Sequence, residues 1–396
     1  MIRDQAQIGA KAPNSAKSQI GGLQLKSIYA SGMTLLIKPA SGLCNLRCPY
    51  CFYCAETKLR QTESYGFMSE KTLRRAIDYA LETKAPELTI VFQGGEPLLR
   101  GLAFFELATR YAREQAQGRQ VNFSIQTNGT LITEAFAEFF ARENYLVGVS
   151  LDGAKRIQDL YRYDSHGEGS FRQVFEGIER LKHAGAAFNI LTVVHREVAQ
   201  HIKRIYPFFT RHAFLHQQYI PCLDPFGEAG QYPWSLTEAI YGDFLCELYD
   251  LWWADLRAGR YVSIQYFDQL ILMLRGQRPQ LCGMEGCCTC QNVIEADGSI
   301  YPCDFYCLDD YRLGHVDQSP LEIETKRRAL HFLEQSLDRP EICQSCAWFA
   351  LCRSGCRRQR DTAGRGDALG ENRFCKAYQR FFAHAILGLE WAAKHL

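Results

Sequence analysis

Residues 33–54 read MTLLIKPASGLCNLRCPYCFYC. An apolar run of strand type leads directly into a loop that carries Cys44, Cys48 and Cys51 at spacings x3 and x2. Three thiolates suit a cubane iron–sulfur cluster that keeps one iron free for an exogenous ligand, the logic of an open position in a catalytic metal site. A structural zinc with Cys54 as fourth ligand has compatible spacing. Against it stand the aromatic pair Phe52-Tyr53 directly after the third thiol and a glycine motif one strand later.

Working outward, six strand candidates alternate with amphipathic helical stretches between Met33 and about Gly259. The strands are MTLLIKPA, ELTIVFQGG, VNFSIQTNG, YLVGVSLDG, FNILTVVH and FLHQQYIPC. Between them lie SEKTLRRAIDYALETK, LAFFELATRYAREQAQ, ITEAFAEFFARE, SFRQVFEGIERLKHAG and VAQHIKRIYPFFTRH, with SLTEAIYGDFLCELYDLWWADL after the last strand. Six such units predict an α/β fold, a partial (β/α)6 TIM-type barrel of parallel strands. These barrels place chemistry at the C-terminal ends of their strands. The cysteine loop, QGGEP, QTNGT and SLDG all fall there, so four strands point to one site. Residues 1–32 read as a flexible extension, 33–262 as the barrel, 263–281 as a connecting helix and 282–396 as a Cys-dense domain closed by a last helix.

Of the 396 residues, 45 are Lys or Arg and 44 are Asp or Glu, giving a formal charge of +1. That balance disfavours nucleic acid as a partner. No apolar run reaches the ~18 to 20 residues of a membrane span, and the polar start lacks a signal-peptide core. The expected location is cytoplasmic. In a reducing compartment the 17 cysteines read as metal or cluster ligands rather than disulfides.

The CxxxCxxC of Cys44, Cys48 and Cys51 resembles that of the radical S-adenosylmethionine enzymes, and Gly94-Gly95-Glu96-Pro97 is similar to their GGEP segment. The resemblance implies that the free iron chelates S-adenosylmethionine, which is cleaved to a 5′-deoxyadenosyl radical, and that Gly94, Gly95 and Glu96 meet its methionyl ammonium. Ser150 and Arg162 fall where family members use a polar group and an arginine near the cofactor's carboxylate. Cys282, Cys288-x9-Gly298-x4-Cys303, Cys343-x2-Cys346-x5-Cys352-x3-Cys356 and Cys375 resemble the SPASM extension. That implies two auxiliary [4Fe-4S] clusters, one on Cys282, Cys288, Cys303 and Cys356, the other on Cys343, Cys346, Cys352 and Cys375. With the first cluster this makes three. Cys54, Cys222, Cys246, Cys287, Cys290 and Cys307 are left as free or buried thiols, and the neighbours of Cys288 blur its register. A pair of zinc ribbons has similar spacings.

Within that group the blocks LLIKPASGLCNLRCPYCFY, FQGGEPLLRGLAFFE, QTNGTLI, LVGVSLDG, CLDP, YPCDFY and CRSGCRR are similar to those of anaerobic sulfatase-maturating enzymes. The resemblance implies oxidation of a Cys or Ser of a sulfatase polypeptide, in a Cys/Ser-x-Pro/Ala-x-Arg segment, to Cα-formylglycine. A flavodoxin- or ferredoxin-type reductant would supply electrons. Asp304 matches the general base, expected to be raised in pKa by the negative clusters beside it. Tyr53, Gln93 and Leu223 match cofactor or substrate contacts. The basic run Arg353, Arg357, Arg358 and Arg360 either balances cluster charge or is solvated. A maturase of a ribosomally made peptide, forming a thioether or carbon crosslink, and a non-catalytic metal scaffold are the alternatives.

Overall fold

A computed structural model describes residues 29–361, 364 and 369–396. Residues 1–28, most of the expected extension, lie outside the described residues. Tyr29 is already buried in the core, its hydroxyl donating to Asn292.

All six expected strands form: β1 Met33–Ile37, β2 Glu87–Phe92, β3 Gln120–Thr127, β4 Leu146–Ser150, β5 Ala187–Val194 and β6 His216–Pro221. They run parallel in chain order, as right-handed crossovers through helices require. In β2, Leu88, Ile90 and Phe92 are buried while their alternate neighbours are half-buried, the two-residue period of a sheet with one fully covered face. The crossover helices begin at side-chain caps that satisfy otherwise orphaned amides: Ser69 accepts from Thr72 N and Thr133 from Phe136 N.

One expected helix is two. VAQHIKRIYPFFTRH splits at His201 into Arg196–Gln200 and Ile202–Arg211. The His201 ring Nδ1 lies 2.8 Å from the Glu197 carbonyl oxygen, the acceptor a continuous helix would give to the His201 amide, and that amide turns to Val198 O instead. The stretch after SLDG holds a further short helix, Lys155–Tyr161.

The barrel's sheet does not stop at β6. It continues on that side through β7 Ser263–Ile264, and on the other through β8 Asn292–Ile294, β9 Ser299–Tyr301 and β10 Gly314–His315, in the order β10-β9-β8-β1-β2-β3-β4-β5-β6-β7. β8 lies parallel to β1, pairing Leu35 with Asn292 and Ile37 with Ile294, while β9 returns antiparallel. The Cys-dense segment is thereby fastened to the first strand of the barrel. The residues that follow β9, Cys303 and Asp304, are delivered to the mouth where the cysteine loop leaves β1. On the far side the last helix, Cys375–His395, packs along Glu238–Arg257.

Candidate active site

The cysteine loop is buckled to β2 by two glycines. Gly94 has φ +102° and Gly95 φ +55°, and a Cβ on Gly95 would fall 2.1 Å from Leu43 O. The next amide, Glu96 N, donates to that same Leu43 O at 2.8 Å. Only a residue without a side chain permits this approach. Gly95→Ala must displace the segment carrying Cys44, costing about 1–3 kcal/mol and most of the iron held at that loop. Urea unfolding and iron content check this; full iron in the variant would refute it.

Glu96 is fully buried and its carboxylate turns toward the next strand. Oε1 accepts from Leu98 N and the Thr127 hydroxyl, and Oε2 from Asn128 N at 2.7 Å. The motif did not disclose this tie between the QGGEP and QTNGT turns. Burial pushes Glu96 up to about 7 despite those donors. A raised carboxyl is neutral below that value, so its contribution to stability is greatest below its ordinary value of 4.5 and is lost as pH rises to about 7. The infrared absorption of protonated carboxyl should fall as pH passes about 7, and Glu96→Gln should remove part of it, the remainder belonging to Glu56.

Beyond the end of β4, Arg162 is neither solvated nor alone. It is buried, with Nε 2.7 Å and Nη2 3.2 Å from the two oxygens of Asp152. The same carboxylate accepts from Val193 N and from the hydroxyl of Tyr50, the residue between Cys48 and Cys51. Despite complete burial, the Arg162 guanidinium keeps Asp152 below its usual range. Asp152 and Tyr50 went unnoticed in the sequence, although SLDG and CPYC each flagged the neighbourhood. Ser150, at the end of β4, accepts from Gln126 Nε2, and Leu223 is half-buried just past β6.

Asp304 sits at the opposite wall. Its Oδ2 accepts from the Tyr53 hydroxyl at 2.6 Å and from Gln93 Nε2 at 2.9 Å, while Oδ1 is buried with no partner. Three of the expected residues thus form one cluster. The carboxyl is raised, as expected, but burial is the cause, partly offset by the Lys38 ammonium. Lys38, missed in the sequence, lies 4.8 Å from the centre of the Tyr53 ring and 2.8 Å from Glu295. Arg60 binds the same Glu295 at 2.6 Å and Glu56 at 3.3 Å. Despite burial, Lys38 and Arg60 hold Glu295 down to about 2, whereas burial carries Glu56 up to about 7.

Eight of the other cysteines fall into two sets. Cys282, Cys288, Cys303 and Cys356 lie within electrostatic reach of one another. Cys287 lies within electrostatic reach of Glu285, Cys282 and Arg278, and Cys290 of Arg327 and Glu324. Cys343, Cys346, Cys352 and Cys375 line one cavity with Trp348 and Tyr378. All 17 cysteines are free thiols. Among the described residues no three His, Cys, Asp or Glu side chains gather around a position for a single metal ion. A zinc tetrahedron needs four sulfurs ~2.3 Å from one ion. Four thiols around one cavity, as at Cys343, Cys346, Cys352 and Cys375, fit a multi-iron cluster with each thiolate on its own iron. Burial pushes Cys44 up to about 11 and Cys48 up to about 12, so these thiols need a bound cation to become thiolates.

Residues 39–209 match the radical SAM superfamily and 286–347 an iron–sulfur cluster-binding domain, SPASM. A cysteine-type anaerobic sulfatase-maturating enzyme of Clostridium novyi is 41% identical over 92% of this chain and 98% of its own. The chain belongs to the anaerobic sulfatase-maturating enzymes. A serine-type member of that family from Bacteroides thetaiotaomicron is 31% identical over 93% of each chain. The solved structure of anSMEcpe with bound AdoMet and Kp18Cys peptide superposes with TM-score 0.87 at 41% identity, covering 92% of this enzyme and 99% of that chain. Among the described residues no helix is long and apolar enough to cross a membrane.

Proposed function

We propose that the enzyme works in the cytoplasm and oxidises a cysteine of a sulfatase polypeptide, within a Cys-x-Pro-x-Arg segment, to Cα-formylglycine. The observation that carries this reading is the buried Asp304, delivered by the C-terminal segment into the barrel mouth with one oxygen held by Tyr53 and Gln93 and the other unpartnered. Cys44, Cys48 and Cys51 would hold the cofactor-binding cluster. The sets containing Cys288 and Cys352 would hold the auxiliary clusters. Bound there, S-adenosylmethionine and the clusters supply the radical that removes a hydrogen atom from the substrate Cβ and the sink for one further electron.

The chain's own residues do the rest. Gly94, Gly95, Glu96, Ser150, Arg162 and Leu223 shape the cofactor side of the mouth, Glu96 by fastening the turn that carries Asn128. Tyr53 and Gln93 fix Asp304 so that Oδ1 meets the target thiol and takes its proton. The preference for cysteine over serine rests on greater identity to the cysteine-type relative than to the serine-type one. Electrons would come from a flavodoxin- or ferredoxin-type reductant.

The test is anaerobic reconstitution, reduction, and incubation with S-adenosylmethionine and a Cys-x-Pro-x-Arg peptide beside its serine counterpart, followed by mass spectrometry. The cysteine peptide should exchange its thiol for an aldehyde, with 5′-deoxyadenosine formed alongside. An unchanged peptide with 5′-deoxyadenosine formed would leave the radical chemistry and remove this substrate. Faster turnover of the serine peptide would reverse the preference.

A further inference from the structure

Among the described residues six arginines are buried well inside the protein. Arg60, Arg162 and Arg327 each meet a carboxylate. Arg357, Arg358 and Arg360 are as deeply buried, between 2% and 6% exposed, and among the described residues none of them forms an ion pair. Their donors go to neutral oxygens. Arg357 donates to Phe332 O and to Gln335 Oε1, Arg358 to Asp224 O, and Arg360 to Ser336 O and Asp338 O. Nε of Arg357 and Nε of Arg360 are buried with no partner at all. The aromatic faces of Phe332 and Phe226 cover Arg357 at 4.2 Å and Arg358 at 3.7 Å.

An unpaired buried cation is among the costliest arrangements a fold can contain, and three within four residues require negative charge nearby. Asp361 lies within electrostatic reach of Arg358 and Asp338 of Arg360, neither close enough for an ion pair, and the other negative groups at hand are the thiols. Arg357 lies within electrostatic reach of Cys288, Arg358 of Cys356, and Arg360 of both Cys288 and Cys343. Arg360 donates to the carbonyl of Ser336, whose hydroxyl accepts from the Cys288 amide at 2.8 Å, and so adjoins the first set while lying within reach of the second. A four-iron cluster on four thiolates carries charge −2 when oxidised and −3 when reduced. Every fixed cation beside it favours the reduced form, and net charge and hydrogen bonding are the protein's chief means of setting its potential.

We propose that Arg357, Arg358 and Arg360 are positioning residues of the redox step, raising the potentials of both auxiliary clusters so that each can accept an electron, with Arg360 acting on the two together. The proposal rests on the ligand sets assigned above. The step is one electron into one cluster, taken during turnover from the substrate radical as its thiol proton leaves, and supplied in the experiment by dithionite.

The experiment uses the full chain with Cys44, Cys48 and Cys51 replaced by Ala, so that only auxiliary clusters remain, and follows their reduction by electron paramagnetic resonance against potential. Arg360→Gln should weaken reduction of both clusters at least tenfold, about 59 mV for a one-electron couple. Arg360→Lys, which keeps the charge but not the fork, should stay near the parent. Arg357→Gln should shift the Cys288 cluster more than the Cys343 one. Unchanged potentials in Arg360→Gln, or an equal fall in Arg360→Lys, overturn the proposal. If Arg360→Gln retains no auxiliary iron, the lysine variant decides: full iron at the parent potential upholds a charge requirement, and lost iron makes the residue structural. A parent chain without auxiliary iron and sulfide would instead remove the ligand sets, and the proposal with them.

Discussion

Asp304→Asn should continue to cleave S-adenosylmethionine while aldehyde formation falls by about two to four orders of magnitude, the usual worth of a positioned general base. The substitution keeps volume and keeps an oxygen for Tyr53 and Gln93 to donate to, so the cluster of three side chains survives. What it removes is the basic oxygen. The unpartnered, buried Oδ1 becomes an amide nitrogen that cannot take a proton from a thiol. Chromatography of 5′-deoxyadenosine and mass spectrometry of the peptide read the two halves separately. Aldehyde at the parent rate would move the base elsewhere, and loss of both products would make Asp304 a structural group.

The second large effect is expected at Asp152. Its carboxylate accepts from Arg162 twice, from Tyr50 and from Val193 N, and all of this is buried. Asp152→Ala leaves the Arg162 guanidinium in the core without its counter-charge, a loss of about 3–5 kcal/mol. It also frees Tyr50, which stands between two cluster thiols. The variant should therefore unfold at markedly lower urea and hold less iron at the cysteine loop. Asp152→Asn, which retains one acceptor oxygen but not the charge, should fall between. Parent-like stability and iron in the alanine variant would show that Arg162 finds another partner.

The six strands and the sites at their ends were legible because period-two apolar runs and turn motifs are local signals. Asp304, Tyr53 and Gln93 were reached through resemblance, and the distances explain their company: 251 and 211 residues of chain separate Asp304 from the other two. The break at His201 was hidden because a side-chain contact to a carbonyl leaves no mark on the apolar pattern. Lys38, Glu56, Arg60 and Glu295 escaped for a related reason. Each is an ordinary charged residue in the sequence, and only the pairing of β8 with β1 brings Glu295 to the other three. The arginines after Cys356 were visible as a basic run, yet whether they faced water or the interior depended on Phe226 and Phe332, far away in the chain.

The parallel pairing of β8 on β1 has a consequence for synthesis. β1 is the earliest strand of the barrel to leave the ribosome, and its partner on one side arrives only with residues 292–294. Until then Leu35, Leu36 and Ile37 present an open edge of unpaired amides and carbonyls on a half-finished sheet, the geometry that invites pairing with another chain. Loop closure over so long a separation is slow. Release of a truncated product ending before β8 should therefore give aggregates rather than a smaller folded barrel.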